Sequence, residues 1–400
     1  MTAPLTIVCP LPPVRSGIAD YTLEQLPLYA AGREVRVVVG DDQPADESLL
    51  PAGVRVLRPA QLHSGEWDVG PVVYHQGNNI HHAYVYRELQ RRPGILVLHD
   101  FVLHHLIVEM TLACGNEAEY ARILEAEHGE VGLRTAQLRS RGCFTEYQQF
   151  LMPLNREAVR ASKGVVVHSD WARRLLVSEH TEIPIACIPH HYSPPEEAIE
   201  AMSVSQARAA VGRPTDKLVF AALGFVTPPK RIDMAMKALG AARDQLPPFE
   251  FWLVGEVSDA VNVKQLATDN GIGDRVHVFG YVDLRTFQTA IRAADVIINL
   301  RYPTAGETSG TLVRALGMGK PVVVYDYASF SDFPDHVVAK VPLDTAWIDP
   351  LAEMVQRLGT DDEYRQRLGS RAAAYVRSEH DLAKCVNSYL DFFAEVYPTS

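Results

Sequence analysis

The chain has 400 residues, 47% of them hydrophobic and 22% charged, with a formal net charge of −11. Such a length and composition predict a globular protein of two or three domains, with enough apolar residues for two sizeable cores. They argue against general nucleic-acid binding, which needs a positive balance, and no apolar run approaches the roughly 18–20 residues of a membrane span.

The opening residues, MTAPLTIVCPLPP, lack the basic start and long apolar core of a secretory signal and run straight into a strand. Further strands are predicted at EVRVVVG, VRVLRP, PVVYHQG, GILVLHD, GVVVHS and IPIACIP. Most are continuous Val/Ile/Leu runs, the pattern of parallel strands covered on both faces. Helices are predicted between them, at 18–31 after the first strand and at 170–179 after the sixth. The stretch from about 101 to 162 is mostly helical and longer than one crossover needs, so it reads as an insertion. Arg134, Arg139, Arg141, Arg156, Arg160 and Lys163 gather in that region. The simpler reading is a solvated helix surface; the alternative is contact with an anionic lipid head group or a phosphorylated acceptor.

The composition shifts at PHHYSPPEEAIEA, residues 189–201, which reads as a linker. The alternation then restarts with KLVFAALG, a helix at 231–243, FEFWLVGE, a helix at 263–270, RVHVFGYV, a helix at 284–294, DVIINL, PVVVYD and VVAKVP. An amphipathic helix at 381–396, carrying Leu390, Phe392, Phe393 and Val396, is expected to cross back to the first domain. The fold class is therefore α/β, with two doubly wound Rossmann-like domains facing across a cleft. The boundaries are 1–190 for the first domain, 191–203 for the linker, 204–380 for the second domain and 381–400 for the crossing helix. Ligands of open α/β sheets bind outside the carboxyl ends of the strands, so the loops there are the candidate site.

The five cysteines, Cys9, Cys114, Cys143, Cys187 and Cys385, are scattered, odd in number and never in C-x-x-C spacing. This fits a reducing cytoplasm and neither a disulfide framework nor a zinc site. The first loop, PLPPVRSGIADY, turns rigidly before a helix, where N–H groups near Gly17 could meet a phosphate. Neither G-x-G-x-x-G nor G-x-x-x-x-G-K-[ST] occurs. The next loops are rich in histidine: YHQGNN with His75, then His81 and His82, and LVLHD with His99, followed by His104 and His105. These groups suit sugar hydroxyls; a metal held by His99 with His104 and His105 is the weaker reading, since no H-E-x-x-H spacing appears.

In the second half, GFVTPPKRI sets Lys230 and Arg231 just past a strand, placed to clamp a diphosphate and stabilise it as a leaving group. The loops at Gly255–Glu256 and at Gly280, Tyr281 and Val282 are placed to hold a nucleobase. The stretch 295–326 reads as strand, glycine-rich loop, helix and strand. Its helix opens at Ser309, Gly310 and Thr311, aiming unpaired N–H groups at the crevice, and closes at Gly319 and Pro321.

Over essentially its full length the chain resembles the GT-B glycosyltransferases of the large retaining family four. The resemblance runs from PPVRSGIADY through LVLHD, VVVHS, GFVTPPKRID, LVGE and VFGYV to GETSGTLVRALGMGKPVVV, which is similar to the family's EGFGLPxLEAMAxGxPVV region. It implies a nucleotide sugar in the second domain and an acceptor in the first. Gly17 would approach the donor phosphate and His99 the sugar. Lys230 and the backbone of Ser309, Gly310, Thr311 and Leu312 would hold the diphosphate, and Tyr281 and Val282 would touch the base. The family's Glu-x7-Glu pair is altered. Its first position is Gly306, with Glu307 displaced by one residue; its second is Arg314, which would suit an extra phosphate or a different nucleotide. Phe225 replaces the arginine before the lysine, and Arg231 would substitute.

The resemblance implies retaining transfer from a nucleoside-diphosphate sugar to a hydroxyl of a glycan, lipid-linked sugar or small metabolite. His99, Lys230 and Glu307 would act at the reacting centre, with Gly17, Phe225, Arg231, Glu256 and Arg314 among the donor-binding residues. No cofactor or metal is expected, since the cations are side chains and no D-x-D motif occurs. The expected location is cytoplasmic, with peripheral contact at the inner face of a membrane left open, and oligomeric state is not indicated. The alternatives are a catalytically degraded, glycosyltransferase-like scaffold subunit and a GT-B sugar-nucleotide epimerase.

Overall fold

The computed structural model describes residues 3–62, 70–343 and 348–398. Its strands form two sheets, of seven and six members, and every strand pairing within them is parallel. The first contains β1 (Leu5–Val8), β2 (Val35–Val38), β3 (Val54–Leu57), β4 (Val72–Gln76), β5 (Ile95–Leu98), β6 (Gly164–Val167) and β7 (Ile185–Cys187), in the order β3-β2-β1-β4-β5-β6-β7. The second contains β8 (Leu218–Leu223), β9 (Phe249–Val254), β10 (Val276–Gly280), β11 (Val296–Ile298), β12 (Val322–Tyr325) and β13 (Ala339–Val341), in the order β10-β9-β8-β11-β12-β13. Each apolar run that predicts a strand forms one.

Both orders reverse once, between β1 and β4 and between β8 and β11. These are the topological switch points at which doubly wound sheets open a crevice for ligands. The continuous apolar strands feed two cores at once, because successive side chains point to opposite faces. In β6, Val165 and Val167 join one cluster and Val166 the other. In β9, Trp252 and Val254 face one layer of helices while Phe249, Phe251 and Leu253 face the other.

The chain divides into two compact units. The first runs to His190 and takes in Ala305–Thr308 and the segment from Leu382 onward; the second comprises His191–Thr304 and Ser309–Asp381. The loop between β11 and the helix Gly310–Gly317 thus contributes four residues to the first unit. The insertion holds the helices His104–Met110, Glu117–Ser140, Tyr147–Leu151 and Arg156–Arg160. Much of its basic cluster is engaged locally: Arg134 pairs with Glu130, Arg139 lies 4.2 Å from the Phe144 ring centroid, and Arg156 donates to the Glu127 carbonyl. Among the described residues no helix is long and apolar enough to cross a membrane.

The helix Leu382–Val396 packs within the first unit, as expected for the crossing helix. Its Val386, Tyr389, Phe392 and Phe393 join the core formed by Ile7, Val73, Val97 and Val166. Gly164 permits the close approach, since a Cβ there would come 2.8 Å from Val396 Cγ2 and 3.0 Å from Phe392 Cζ. The Tyr389 and Tyr21 hydroxyls pair at 2.9 Å in the buried core. Tyr389→Ala should therefore cost about 3–5 kcal/mol, and Tyr389→Phe about 1–3 kcal/mol, because Tyr21 loses that buried partner. Urea melts of the two variants check this; equal midpoints for wild type and Tyr389→Ala would contradict the packing role.

Candidate active site

The candidate residues fall into two clusters, one in each unit. In the second unit the loops after β8 and β11 flank the switch point. The loop after β8 turns at Gly224, whose φ of +81° favours glycine. Lys230, only 8% exposed, donates its ammonium proton to the Leu223 carbonyl. A Cβ on Gly224 would come 2.8 Å from Lys230 Nζ and 3.7 Å from Thr311 Oγ1. The ammonium therefore stands beside the first turn of the helix Gly310–Gly317. Ser309 caps that helix, accepting from the Leu312 N–H at 3.2 Å through its hydroxyl and from the Val313 N–H at 3.1 Å through its carbonyl. Of the four first-turn N–H groups, those of Gly310 and Thr311 remain outside these bonds. A cation and a positive helix end at one place can receive a diphosphate.

Of the other candidates, Arg231 is engaged within its own loop and several are exposed. Arg231 sits at φ 49°, and its guanidinium pairs bidentately with Asp233 at 2.9 and 3.0 Å. Phe225 and Tyr281 are 54% and 59% exposed, Glu256 is exposed, and Val282 packs partly into the core beneath. The loops after β8, β9 and β10 are joined by bridges at Val226–Val257 and Gly255–Gly280. A Cβ on Gly255 would come 2.3 Å from the Gly224 carbonyl oxygen, so this tie also fixes the Lys230 loop. Arg314 is half-buried on the helix Gly310–Gly317, and its charge acts on Tyr192.

In the first unit, His99 follows β5 and is buried between two other histidines. Its Nε2 lies 2.9 Å from His75 Nδ1 and its Nδ1 3.1 Å from His168 Nε2. The Tyr21 ring stands edge-on to it at 4.9 Å. Gly17 is the first residue of the helix Gly17–Ala30 and is open: a Cβ there would meet nothing within 4 Å. Ser16 caps this helix, and its Oγ lies 3.5 Å from His82 Nε2. Residues 305–308 bind to the loops after β5 and β6: Val102 N–H donates to the Ala305 carbonyl at 2.8 Å, and Thr308 Oγ1 donates to the His168 carbonyl at 3.3 Å. Glu307 stands between these ties, and its charge acts on His105. His104 and His105 do not converge on His99. His104 bonds the Met152 carbonyl and the Tyr120 hydroxyl, and His105 bonds Asn78.

Tyr21, His168 and His190 were missed as candidates by sequence reasoning. The signal that finds His168 is the one that finds His99, a polar residue directly after a buried strand. Away from both clusters, a cavity of about 780 Å³ lies at the amino ends of β8, β9 and β11, lined by Arg208, Lys217, Asp295 and Arg365 among others. Its cations are already paired: Arg208 with Asp295, Lys217 with Glu250 and Arg365 with Asp362.

Burial sets the protonation of the first cluster. It holds His99 well below the ordinary histidine range, helped by His168, His75 and His190. It pushes His82 down to about 4, against the hydrogen bond to the His75 carbonyl, and His104 down to about 3. Because these folded-state values lie below those of unfolded histidine, the unfolded chain binds more protons in between, and stability rises with pH there. The contribution is complete above about pH 6.5 and is lost as pH falls through the folded values, amounting to about 3 kcal/mol for a shift like that of His82. The urea midpoint should therefore fall between pH 7 and pH 4.5, and less steeply in His82→Gln; equal slopes in the two proteins would refute the assignment.

Residues 203–375 match the family model described as glycosyl transferases group 1. No curated protein matches the sequence significantly. The fold is similar to that of sucrose-phosphate synthase from Thermosynechococcus elongatus, with a TM-score of 0.66 and 15% identity over 99% of this chain and 100% of the other. It is similar to Anabaena HepE in complex with UDP-glucose, with a TM-score of 0.68 and 16% identity over 98% of this chain and 100% of the other. A third similar structure is WaaG, a glycosyltransferase involved in lipopolysaccharide biosynthesis, with a TM-score of 0.63 and 16% identity over 97% and 99%. The chain thus has the GT-B fold, and most of its second unit matches the group 1 glycosyl transferase family.

Proposed function

We propose that the protein moves a sugar from a nucleoside diphosphate to a hydroxyl acceptor with retention of anomeric configuration and without a metal. The observation that carries this reading is the Lys230 ammonium beside Gly224 and Thr311, at the open end of the helix Gly310–Gly317 and at the β8/β11 switch point. Anabaena HepE, of the same fold, was solved with UDP-glucose, which puts a nucleotide sugar first among donors.

The diphosphate takes hydrogen bonds from the Gly310 and Thr311 N–H groups and from Lys230, and their charge stabilises it as it leaves. Arg231, neutralised by Asp233, contributes less than Lys230. Glu307 and the His99 loop orient the sugar, and Tyr281 and Val282 flank the base. The acceptor hydroxyl attacks from the face that the nucleotide leaves. The departing phosphate oxygen takes the hydroxyl proton, so no protein base and no metal are needed to balance the step. The first unit supplies the acceptor side, and a glycan, a lipid-linked sugar or a small metabolite fits that role. The same reading puts the protein in the cytoplasm, which the absence of disulfides among the described residues supports.

Thermal shifts with UDP, GDP, ADP, TDP and CDP and with their sugars test the donor site. One nucleotide should raise the melting temperature, and Lys230→Ala should weaken that shift and lower turnover by about 10²-fold or more. Near-normal turnover in Lys230→Ala would refute the role of the lysine, and no shift with any nucleotide would refute the donor site.

A further inference from the structure

Histidines close the carboxyl ends of four adjacent strands of the first sheet. β4, β5, β6 and β7 lie side by side. His75 lies at the end of β4, His99 and His168 directly follow β5 and β6, and His190 stands just past β7. The rings follow the strand spacing, with centroids 5.2 Å apart for His75 and His99, 4.8 Å for His99 and His168, and 5.8 Å for His168 and His190. Neighbouring strands are about 4.8 Å apart, so residues at equivalent ends come within hydrogen-bond reach. Tyr21 lies across all four rings, at 4.7 to 5.9 Å.

The hydrogen bonds in this row have one direction. The Ile188 carbonyl is 2.9 Å from His168 Nδ1. A carbonyl can only accept, so the His168 proton is on Nδ1. Its Nε2 is then an acceptor and takes the His99 Nδ1–H at 3.1 Å. His99 Nε2 is an acceptor in turn and takes the His75 Nδ1–H at 2.9 Å. Reversing the row would set a lone pair of His168 against one of Ile188. Adding a proton to His99 would set its new N–H against that of His75 unless His75 switched tautomer. Adding one to His168 would force both His99 and His75 to switch.

We propose that His168 and His75 are positioning residues for sugar transfer: anchored on the Ile188 carbonyl, they hold His99 neutral with its proton on Nδ1. The proposal rests on the reading of His99 as a sugar contact. Glycosyl transfer builds positive charge at the anomeric carbon, and a cationic imidazole beside it would oppose that charge. With both ring nitrogens engaged in the row, His99 neither gives nor takes a proton during the reaction. The groups that face it, His75 and His82 from β4 and the turn after it, His168, His190 and Tyr21, are imidazoles and a phenol that favour the neutral form.

The full chain labelled with 15N-histidine tests the row without any substrate. Two-bond proton–nitrogen spectra at pH 7.5, assigned with single-histidine variants, should show His75, His99 and His168 protonated on Nδ1. An Nε2–H tautomer or an imidazolium at His99 or His168 overturns the proposal. The reaction test compares His168→Phe with His168→Gln, which keeps one donor and one acceptor, by nucleoside diphosphate release from the preferred donor. kcat/KM should fall about tenfold in the phenylalanine variant, which leaves the buried His99 Nδ1–H without its acceptor, and should be kept in the glutamine variant. Values like wild type in both variants, with His99→Ala impaired, overturn the positioning role alone. Wild-type kcat/KM in His99→Ala overturns the sugar-contact reading beneath it, while leaving the tautomer spectra as expected.

Discussion

A buried ammonium needs an acceptor, and in the second unit Lys230 has the Leu223 carbonyl. Much of the donor-side geometry follows from that bond. The carbonyl is the last of β8, so the charge is held where the sheet ends. Gly224 follows it and leaves room for Nζ, because any side chain there would come against the ammonium. The Gly224 carbonyl in turn requires Gly255 to lack a side chain. The cation explains the first glycine and the backbone of the first explains the second, and the cation faces the helix end where an anion is best stabilised.

The two clusters treat burial in opposite ways. The second unit keeps a formal charge by giving it a carbonyl, and sets it beside a helix end that is itself positive. The first unit buries imidazoles and keeps them neutral, each proton directed at the next ring or at a backbone carbonyl. This division suits the chemistry of a nucleotide sugar. Its diphosphate is anionic and gains negative charge as it leaves, whereas its sugar gains positive charge at the reacting carbon.

The strands were legible because parallel strands buried on both faces have a continuous apolar composition, and each such run is bounded by glycine, proline or polar residues. Lys230 and Ser309 were legible for a related reason, since each lies in the loop that joins a strand to the next helix. The pairing of Arg231 with Asp233 was not, because it depends on a left-handed backbone at Arg231 that turns the guanidinium along its own chain. The histidine row was hidden for a different reason. His75, His99 and His168 are far apart in the chain, and only the strand order brings β4, β5 and β6 together. The loop residues 305–308 show the same limit: their sequence belongs to the second half, but their hydrogen bonds are with the loops after β5 and β6.

That placement accounts for the displaced acidic residue. Where the resembled family has its first glutamate, this chain has Gly306, at φ +76°. A Cβ there would come 2.5 Å from Phe101 Cβ and 2.7 Å from the Trp171 ring. Phe101 and Trp171 pack against each other at 5.2 Å and cannot both withdraw without opening the core beneath. A glutamate at 306 would therefore need both a strained backbone and space that the two rings fill. Position 307, between the Ala305 and Thr308 hydrogen bonds, is free of that restriction and carries the carboxylate. The shift by one residue follows from the packing of Phe101 and Trp171, and it keeps an acidic group on the loop that Thr308 ties to the His168 carbonyl.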